Sequence, residues 1–245
     1  MSNIWTIAVK EYKSLFHSAI AYVIGVVVFL SLGIYFWVLL SYGIQTQSYV
    51  PEMQILLDWI IFPLFFISVP VLTMRTISDE NRTGTLELIL TAPVRDWELV
   101  VGKWLGTYLF FLSILALTWI YPLMLNFIVD PGIDQSMLIA LYTGICLLTA
   151  AITAVGVLVS SLFKNPVPSL LASLGMMILL WIIGAPGNYT SGFTSELFKY
   201  LSITGHYYGS FYVGVIDLKD VIYFVSLTIL ALFLGSRVIE ARRWK

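Results

Sequence analysis

Charged residues are scarce in this sequence. Only 11% of the 245 residues are Asp, Glu, Lys or Arg, whereas 59% are hydrophobic. Soluble domains carry about 25% charged residues, so the composition excludes an ordinary soluble domain and indicates a membrane protein. The formal net charge of −1 does not supply the basic field that attracts nucleic acid, so we expect no nucleic-acid partner.

Motifs for catalysis, metal binding and nucleotide binding are missing as well. The single cysteine, Cys146, can form neither an intrachain disulfide nor a CxxC pair. His17 and His206 are predicted on opposite sides of the membrane, where they cannot share a metal. The Gly102-Lys103 pair is followed by tryptophan, so the chain has no G-x4-G-K-[ST] loop for phosphates. We predict a protein that is not itself an enzyme and binds neither a metal nor a cofactor.

Six apolar stretches are long enough to cross a bilayer, which takes about 20 residues. They cover residues 19–41, 55–77, 99–128, 137–162, 168–186 and 221–238. Three prolines inside them, Pro63, Pro70 and Pro122, predict kinks rather than breaks, because membrane helices tolerate proline. The predicted fold class is an all-α membrane protein with six transmembrane helices, and residues 1–245 form a single transmembrane domain.

The central parts of these spans carry almost no ionisable side chains. Asp58 lies near the outer end of span two, and Glu98 and Lys103 lie near the start of span three. Proton and ion pathways through membranes are usually marked by such groups. The sequence therefore disfavours an ion-coupled carrier that works alone, and the energy for any transport must come from a partner.

Positive residues cluster on one side of the predicted spans. Eleven of the 13 Lys and Arg residues fall in the N-terminal segment, between spans two and three, after span four, or in the C-terminal tail. Cytoplasmic loops carry such an excess, so both termini are predicted to be cytoplasmic. The opposite loops contain only Lys199 and Lys219.

Two further segments are predicted to be helical without crossing the membrane. In residues 3–17, polar side chains recur three and four positions apart, which is typical of an amphipathic helix. We expect this helix at the cytoplasmic interface, with packing on other protein as the alternative. Residues 186–215, on the outer side, are rich in aromatic side chains. They predict interfacial or re-entrant helices before span six, or a plain aromatic belt.

A polar segment, residues 78–93 (SDENRTGTLELILTAP), interrupts the apolar sequence between spans two and three. Gly84 permits a sharp turn, and Thr85 is placed to cap the start of a new helix that Pro93 ends. Leu86, Ile89 and Leu90 would then form an apolar edge, with Glu87 on another side. Such a helix can dock in a groove of a soluble partner, or it can be a solvated linker.

The same segment resembles a family motif. The pattern E-x3-G-T-x-E-x2-L-T-x-P, formed by Glu80, Gly84, Thr85, Glu87, Leu90, Thr91 and Pro93, is similar to the motif after the second span of ABC-2 type transporter permeases. The runs VLTMRTISDENRTGTLELILTAPV (71–94) and GVIDLKDVIYFVSLTILALFLGSRVIEARRW (214–244) look most like the gliding-motility ABC transporter permeases. The permease of the copper-accessory system of nitrous oxide reductase is a more distant likeness.

The resemblance implies a function for the polar segment. In the family this short helix, which here includes Leu86, Leu88 and Ile89, is the coupling helix that docks on a separate ABC ATPase subunit. The ATPase, rather than this chain, holds ATP and Mg. The permease works as a homodimer or heterodimer in which spans one and five meet. The Gly102–Gly106 pair is either a site of close helix contact or merely tolerated.

The resemblance also implies a place and a task for the whole protein. We expect a multi-pass protein of the bacterial inner membrane, in contact with membrane lipids, that serves as the permease subunit of an ATP-driven exporter. An ATPase-linked anchor or force-transmitting scaffold for extracytoplasmic machinery is the alternative. Uncharged spans and aromatic outer segments suit a lipid-like or amphiphilic cargo, and they equally suit ordinary contact with the bilayer.

Overall fold

The computed structural model describes residues 2–46, 53–91, 94–128, 132–189 and 191–243, and none of these forms a strand. The α-helices are α1 (Ser2–Phe16), α2 (Ala19–Thr46), α3 (Met53–Phe62), α4 (Val69–Thr76), α5 (Ser78–Arg82), α6 (Thr85–Leu90), α7 (Asp96–Leu117), α8 (Ile120–Ile128), α9 (Gln135–Leu162), α10 (Pro166–Ile182), α11 (Phe193–Leu201), α12 (Ile203–Tyr208) and α13 (Leu218–Arg243). A π-helical segment (Pro63–Ser68) joins α3 to α4, and 3-10 turns occupy Ala185–Asn188 and Phe211–Val213.

Within the part of the chain that the structure describes, six helical segments are long and apolar enough to cross a membrane. Numbered in chain order, spans 1 to 6 are Ala19–Ser41, Leu57–Arg82, Asp96–Ile128, Gln135–Leu162, Pro166–Gly187 and Leu218–Arg242. The prediction of an all-α protein with six candidate spans is therefore confirmed, with boundaries that shift by a few residues. Span 2 continues into the polar segment, because α5 follows α4 after a bend at Ile77.

The three prolines act differently from one another. The helix continues through Pro63, within the π-helical segment, and through Pro70, within α4, as predicted. Before Pro122 the helix is interrupted by a two-residue turn, because α7 ends at Leu117 and α8 begins at Ile120, although both helices belong to span 3. Proline has no N–H to donate to the carbonyl four residues earlier. Its ring also clashes with that carbonyl, which here belongs to Thr118. The interruption therefore falls one turn before the ring.

Span 4 lies at the centre of the bundle. In its most apolar window 72% of the residues are buried, against 22% for span 1 and 17% for span 5. Close approach of its neighbours depends on glycine. A methyl group at Gly156 would lie 2.8 Å from Cβ of Thr73 in α4, and one at Gly144 would lie 2.6 Å from Cβ of Phe211. Trp104 of α7 donates to the carbonyl of Ala150 at 3.0 Å.

The N-terminal helix α1 packs on the start of α7. A methyl group at Gly102 would lie 2.8 Å from Cβ of Ile7, and one at Gly106 would lie 2.7 Å from the carbonyl oxygen of Ala8. The two glycines are thus the surface on which α1 rests, so the pair marks a close helix contact. Trp5, on another side of α1, is 59% exposed, which leaves one face of the helix for a membrane interface.

The two ends of the bundle have different characters. The basic end, as we call it, comprises α1, α5, α6, the first turns of α7, the last turns of α9 and α13, and the loop after α9. The opposite end comprises α11, α12 and the two 3-10 turns, so the predicted helices before span 6 are present. The apolar face of α11 is exposed there, with Phe193 77% and Tyr200 58% exposed.

Candidate functional site

The polar segment forms two short helices joined by a turn at Gly84. Gly84 has a φ of +73°, a conformation that glycine adopts without the cost borne by other residues. Thr83 closes the turn, because its hydroxyl bonds the Asp79 carbonyl at 2.9 Å and the Thr85 hydroxyl at 3.0 Å. Thr85 is the first residue of α6, and its hydroxyl donates to the Glu80 carbonyl at 3.3 Å. The predicted turn is present and a helix starts after it, but Thr85 is the first helical residue and its hydroxyl donates to a carbonyl instead of capping the helix.

The helix α6 is anchored to the bundle by Leu86. This side chain is 3% exposed and belongs to a small apolar cluster at the basic end. The members of the cluster are Ile77, Leu86, Leu99, Val100, Val157 and Ile239. Burying a leucine stabilises a fold by roughly 1.5–3 kcal/mol. Leu86 therefore holds α6 in place and does not belong to the surface that a partner could touch.

The rest of α6 has an exposed side. Glu87 is exposed, and so is Thr91, whose backbone N–H bonds the Glu87 carbonyl at 3.2 Å just past the helix end. Leu88, Ile89 and Leu90 lie in the helix, but their side chains are outside the described part of the structure. Pro93 also lies outside the described residues. The described exposed surface of α6 is thus acidic and polar, whereas the leucine that anchors it is buried.

Glu80 faces inward and belongs to a buried charge cluster around Lys103. The ammonium of Lys103, which is 3% exposed, donates to the Thr76 carbonyl at 2.8 Å and to Oε1 of Glu80 at 2.8 Å. It also lies 3.4 Å from Oε2 of Glu11 in α1. One cation therefore joins α1, the end of α4, α5 and α7. Oε2 of Glu80 has no hydrogen-bond partner among the described residues.

Span 4 supports the bend between α4 and α5. The Ser160 hydroxyl accepts from the backbone N–H groups of Ile77 and Ser78, both at 3.1 Å, and donates to the Met74 carbonyl at 3.1 Å. Asn81 of α5 donates to the Phe163 carbonyl at 3.3 Å. Backbone groups freed by a bend are costly to leave unpaired away from water. The polar segment is therefore fixed to the central helix by hydrogen bonds.

Sequence reasoning missed these supports. Lys103 was recognisable as a cation near the start of a span, and a cation at that depth implies a partner. The partners, Glu11 and Glu80, are distant in the sequence, and no local pattern pairs them with Lys103. Ser160 gave no signal, because a serine in an apolar helix usually bonds only its own preceding turn.

The opposite end is held by a second polar cluster. Nε2 of His206 donates to the Tyr200 carbonyl at 2.7 Å, and Nδ1 shares a 2.6 Å hydrogen bond with Oδ1 of Asp220 in α13. The Tyr208 hydroxyl donates to Oδ1 of Asp58 in span 2 at 2.5 Å. Burial, followed by this contact with the Asp58 carboxylate, raises the pKa of Tyr208, which keeps the hydroxyl protonated. The helices of the opposite end are thus tied to spans 2 and 6.

Together these features define a polytopic all-helical membrane protein with a short, anchored helix between spans 2 and 3. A family model described as ABC-2 family transporter protein matches residues 5–207. The chain therefore belongs to the ABC-2 transporter family, and it is the membrane-spanning component of an ABC transporter. This family normally pairs with an ABC ATPase. No curated protein matches the chain.

Proposed function

We propose that this chain is the permease subunit of an ATP-driven exporter, and that α6 is the coupling helix on which a separate ABC ATPase docks. The observation that carries the proposal is the two-sided placement of α6. Leu86 is buried against the bundle, while Glu87 is exposed. A partner that moves α6 therefore pulls on the packed end of the bundle rather than on a loose loop.

The described contacts provide a route for that motion. From α6 the turn at Gly84 leads to α5, where Glu80 bonds Lys103 of span 3. Ser160 and Asn81 connect the same segment to span 4. In this proposal ATP and Mg are bound by the ATPase, and its closure rocks spans 2 and 3 with α1 against span 4.

A second permease, either another copy or a paralogue, completes the transporter in this proposal. Spans 1 and 5 are the least buried of the six, at 22% and 17% of their apolar windows. Exposed side chains form a stripe along span 1, at positions 23, 26, 30, 34 and 37. Helices that leave so much surface uncovered suit a contact with a second subunit, and membrane lipids cover the remainder.

The proposed setting is the inner membrane of a bacterium, with the basic end and both termini in the cytoplasm. The distribution of Lys and Arg in the sequence supports this orientation. We propose that residues 1–245 act as one transmembrane domain.

Within the family, the runs 71–94 and 214–244 favour the gliding-motility permeases. ATP-dependent uptake of a cargo by inverted vesicles would separate an exporter from a scaffold.

Replacement of Glu87 tests the docking site directly. Glu87→Arg reverses one charge on the exposed side of α6 and leaves Leu86 in place. We expect at least a tenfold loss of the ATPase that co-purifies with the permease. The new arginine would face the groups on the ATPase that accommodate a carboxylate, and like charges placed together at an interface cost several kcal/mol. The measurement is the ATPase-to-permease ratio after extraction in mild detergent.

The matched control is Glu196→Arg, the same change on an exposed residue of the short helix α11 at the opposite end. It should retain the ATPase. Equal retention by both variants would remove α6 from the docking site. Leu86→Asp is unsuitable for this purpose, because Leu86 is buried and its replacement would disturb the bundle itself.

A further inference from the structure

A cleft at the basic end lies between the start of α7 and the last turns of α13. Its volume is about 440 Å³, and its lining includes Arg95 just before α7, Trp97 of α7, and Phe233, Arg237 and Glu240 of α13. The coupling proposal does not use this cleft. Close to the lining residues along the helices are Leu99 and Ile239, which pack with Leu86 of α6. A molecule bound in the cleft would therefore lie next to the apolar cluster that holds α6.

One half of the cleft is apolar and opens onto the membrane-facing surface of α13. Phe233 is 51% exposed, and the exposed side chains of Ile229, Ile222 and Leu230 continue its stripe at helical spacing. Arg237 follows Phe233 by four residues, which is about 6 Å along the helix axis. The cleft therefore passes from an apolar groove to a polar mouth within about one turn. This arrangement matches an amphiphile, which has an apolar tail and a polar headgroup.

The polar half presents two guanidinium groups. Arg237 lies over the Phe233 ring, 4.9 Å from its centroid, and donates to Oε2 of Glu240 at 2.7 Å. Arginine has five N–H donors, so this bond leaves Arg237 able to bind another anion. Arg95 is exposed at the start of α7, and Trp97 beside it is 45% exposed. Arginine binds phosphate through paired N–H groups, and tryptophan favours the level of lipid headgroups.

We propose that this cleft binds a phosphatidylethanolamine molecule from the leaflet at the basic end. Its phosphate lies between Arg95 and Arg237, and one acyl chain follows Phe233 along α13. The lining also contains Asp96 and Glu240, so its two cations are balanced by two carboxylates. A balanced lining favours a zwitterionic headgroup, whose ammonium meets Glu240, over an anionic one. The bound lipid then contacts both α7 and α13 next to α6 and stabilises their packing.

The test uses the full chain, purified in detergent and titrated with synthetic phosphatidylethanolamine or phosphatidylglycerol, with bound lipid counted by native mass spectrometry. The variant is Arg95→Gln with Arg237→Gln. We expect its affinity for phosphatidylethanolamine to fall about tenfold or more, since hydrogen bonds to a charged group are each worth about 1.5–3 kcal/mol. The matched control, Arg82→Gln with Lys164→Gln, removes two exposed cations elsewhere at the basic end and should bind as the native chain does.

A second variant tests the choice of headgroup. Glu240→Gln should weaken phosphatidylethanolamine binding and strengthen phosphatidylglycerol binding, because it removes the partner of the ammonium and releases Arg237. An independent readout is the quenching of tryptophan fluorescence by phosphatidylethanolamine brominated near the headgroup, which should decrease in Trp97→Phe. This readout needs no change at the arginines.

Three results would overturn the proposal. The first is equal lipid affinity in the native chain and the double arginine variant. The second is a preference of the native chain for phosphatidylglycerol. The third is loss of the co-purifying ATPase from the double variant with lipid binding unchanged, which would make the cleft a protein-docking surface. The Glu87→Arg experiment is scored separately, so the two proposals can fail independently.

Discussion

At the scale of single residues, the arrangement of the basic end depends on the buried ammonium of Lys103. It satisfies a backbone carbonyl and pairs with carboxylates from two different helices. Breaking a buried ion pair costs more than the pair contributes, because the remaining charge stays away from water. The loss of this cation leaves Glu80 and Glu11 facing one another without a counter-charge.

We predict that Lys103→Met destabilises the chain by roughly 3–5 kcal/mol, which lowers the melting temperature by on the order of 10 °C. Thermal unfolding in detergent measures this. Lys164→Met, which removes an exposed lysine at the same end, should change the melting temperature little. In addition, Glu80→Gln should cost less in the Lys103→Met background than in the native chain, because the orphaned carboxylate is removed. Additive effects would argue against the pair.

Single residues also show what a sequence can reveal. Gly84 was identifiable from its position in a polar segment, since a turn between two helices demands a residue that tolerates positive φ, and the turn is present. Leu86 was predicted on the apolar edge of the docking helix, and it is buried against the bundle. A six-residue helix has too few positions to tell the face toward its own bundle from the face toward a partner.

At the scale of elements, the contact between α1 and α7 governs whether the N-terminal helix belongs to the bundle. The two glycines of α7 let the backbones approach, and the Tyr12 hydroxyl lies 2.9 Å from the Ser113 hydroxyl further along. Asn3 at the other end of α1 donates to Glu98 at 3.3 Å. The helix is thus held along its length, so it moves with span 3.

We predict that Gly106→Val detaches α1. The added Cβ would lie 2.7 Å from the Ala8 carbonyl oxygen and 2.6 Å from Cβ of Glu11, and a backbone atom cannot rotate away. A cysteine placed at the buried Ala8, with Cys146 changed to Ser, reports the change through maleimide labelling, which should become faster. Gly25→Val, where nothing lies within 4 Å of the added Cβ, is the control. Unchanged labelling in Gly106→Val would show that the helix contact is dispensable.

Elements differ in how well the sequence predicts them. The spans were predictable because a membrane requires about 20 apolar residues in a row, and α1 was predictable from its period. The turn before Pro122 and the π-helical segment at Pro63 were not predictable. Both prolines lie in similarly apolar sequence, and whether the helix continues or is interrupted there depends on the neighbouring helices. Thr118, at the turn, bonds Tyr142 of span 4 at 3.0 Å.

At the scale of the whole molecule, a central span is surrounded by helices that are progressively less covered. Family membership and span number followed from the sequence, but the order of burial did not. All six spans have similar composition, and only the packing reveals that span 4 is enclosed while spans 1 and 5 are open. That uneven coverage is the feature that favours a second subunit.

We predict that two copies of the chain meet through spans 1 and 5. Val26 is 55% exposed and Leu171 is 65% exposed, and each lies within about two turns of the same end of its span. In a background without Cys146, chains with Val26→Cys mixed with chains with Leu171→Cys should crosslink in membranes with a short bis-maleimide. Val26→Cys mixed with Ile229→Cys, on the exposed side of span 6, should not. Equal yields from both mixtures would contradict this interface.

The π-helical segment in span 2 has a geometric effect on the whole route from the membrane to α6. At its end the N–H of Val69, the first residue of α4, bonds the carbonyl of Leu64, five residues earlier, so the turn holds an additional residue. One residue corresponds to a rotation of about 100° in an ordinary α-helix. Removing one residue here would rotate α4 and α5 by about that angle relative to α3, the preceding half of the span. Glu80 would then point away from Lys103. The number of residues in the π-helical segment therefore determines whether the ion pair at the basic end can form.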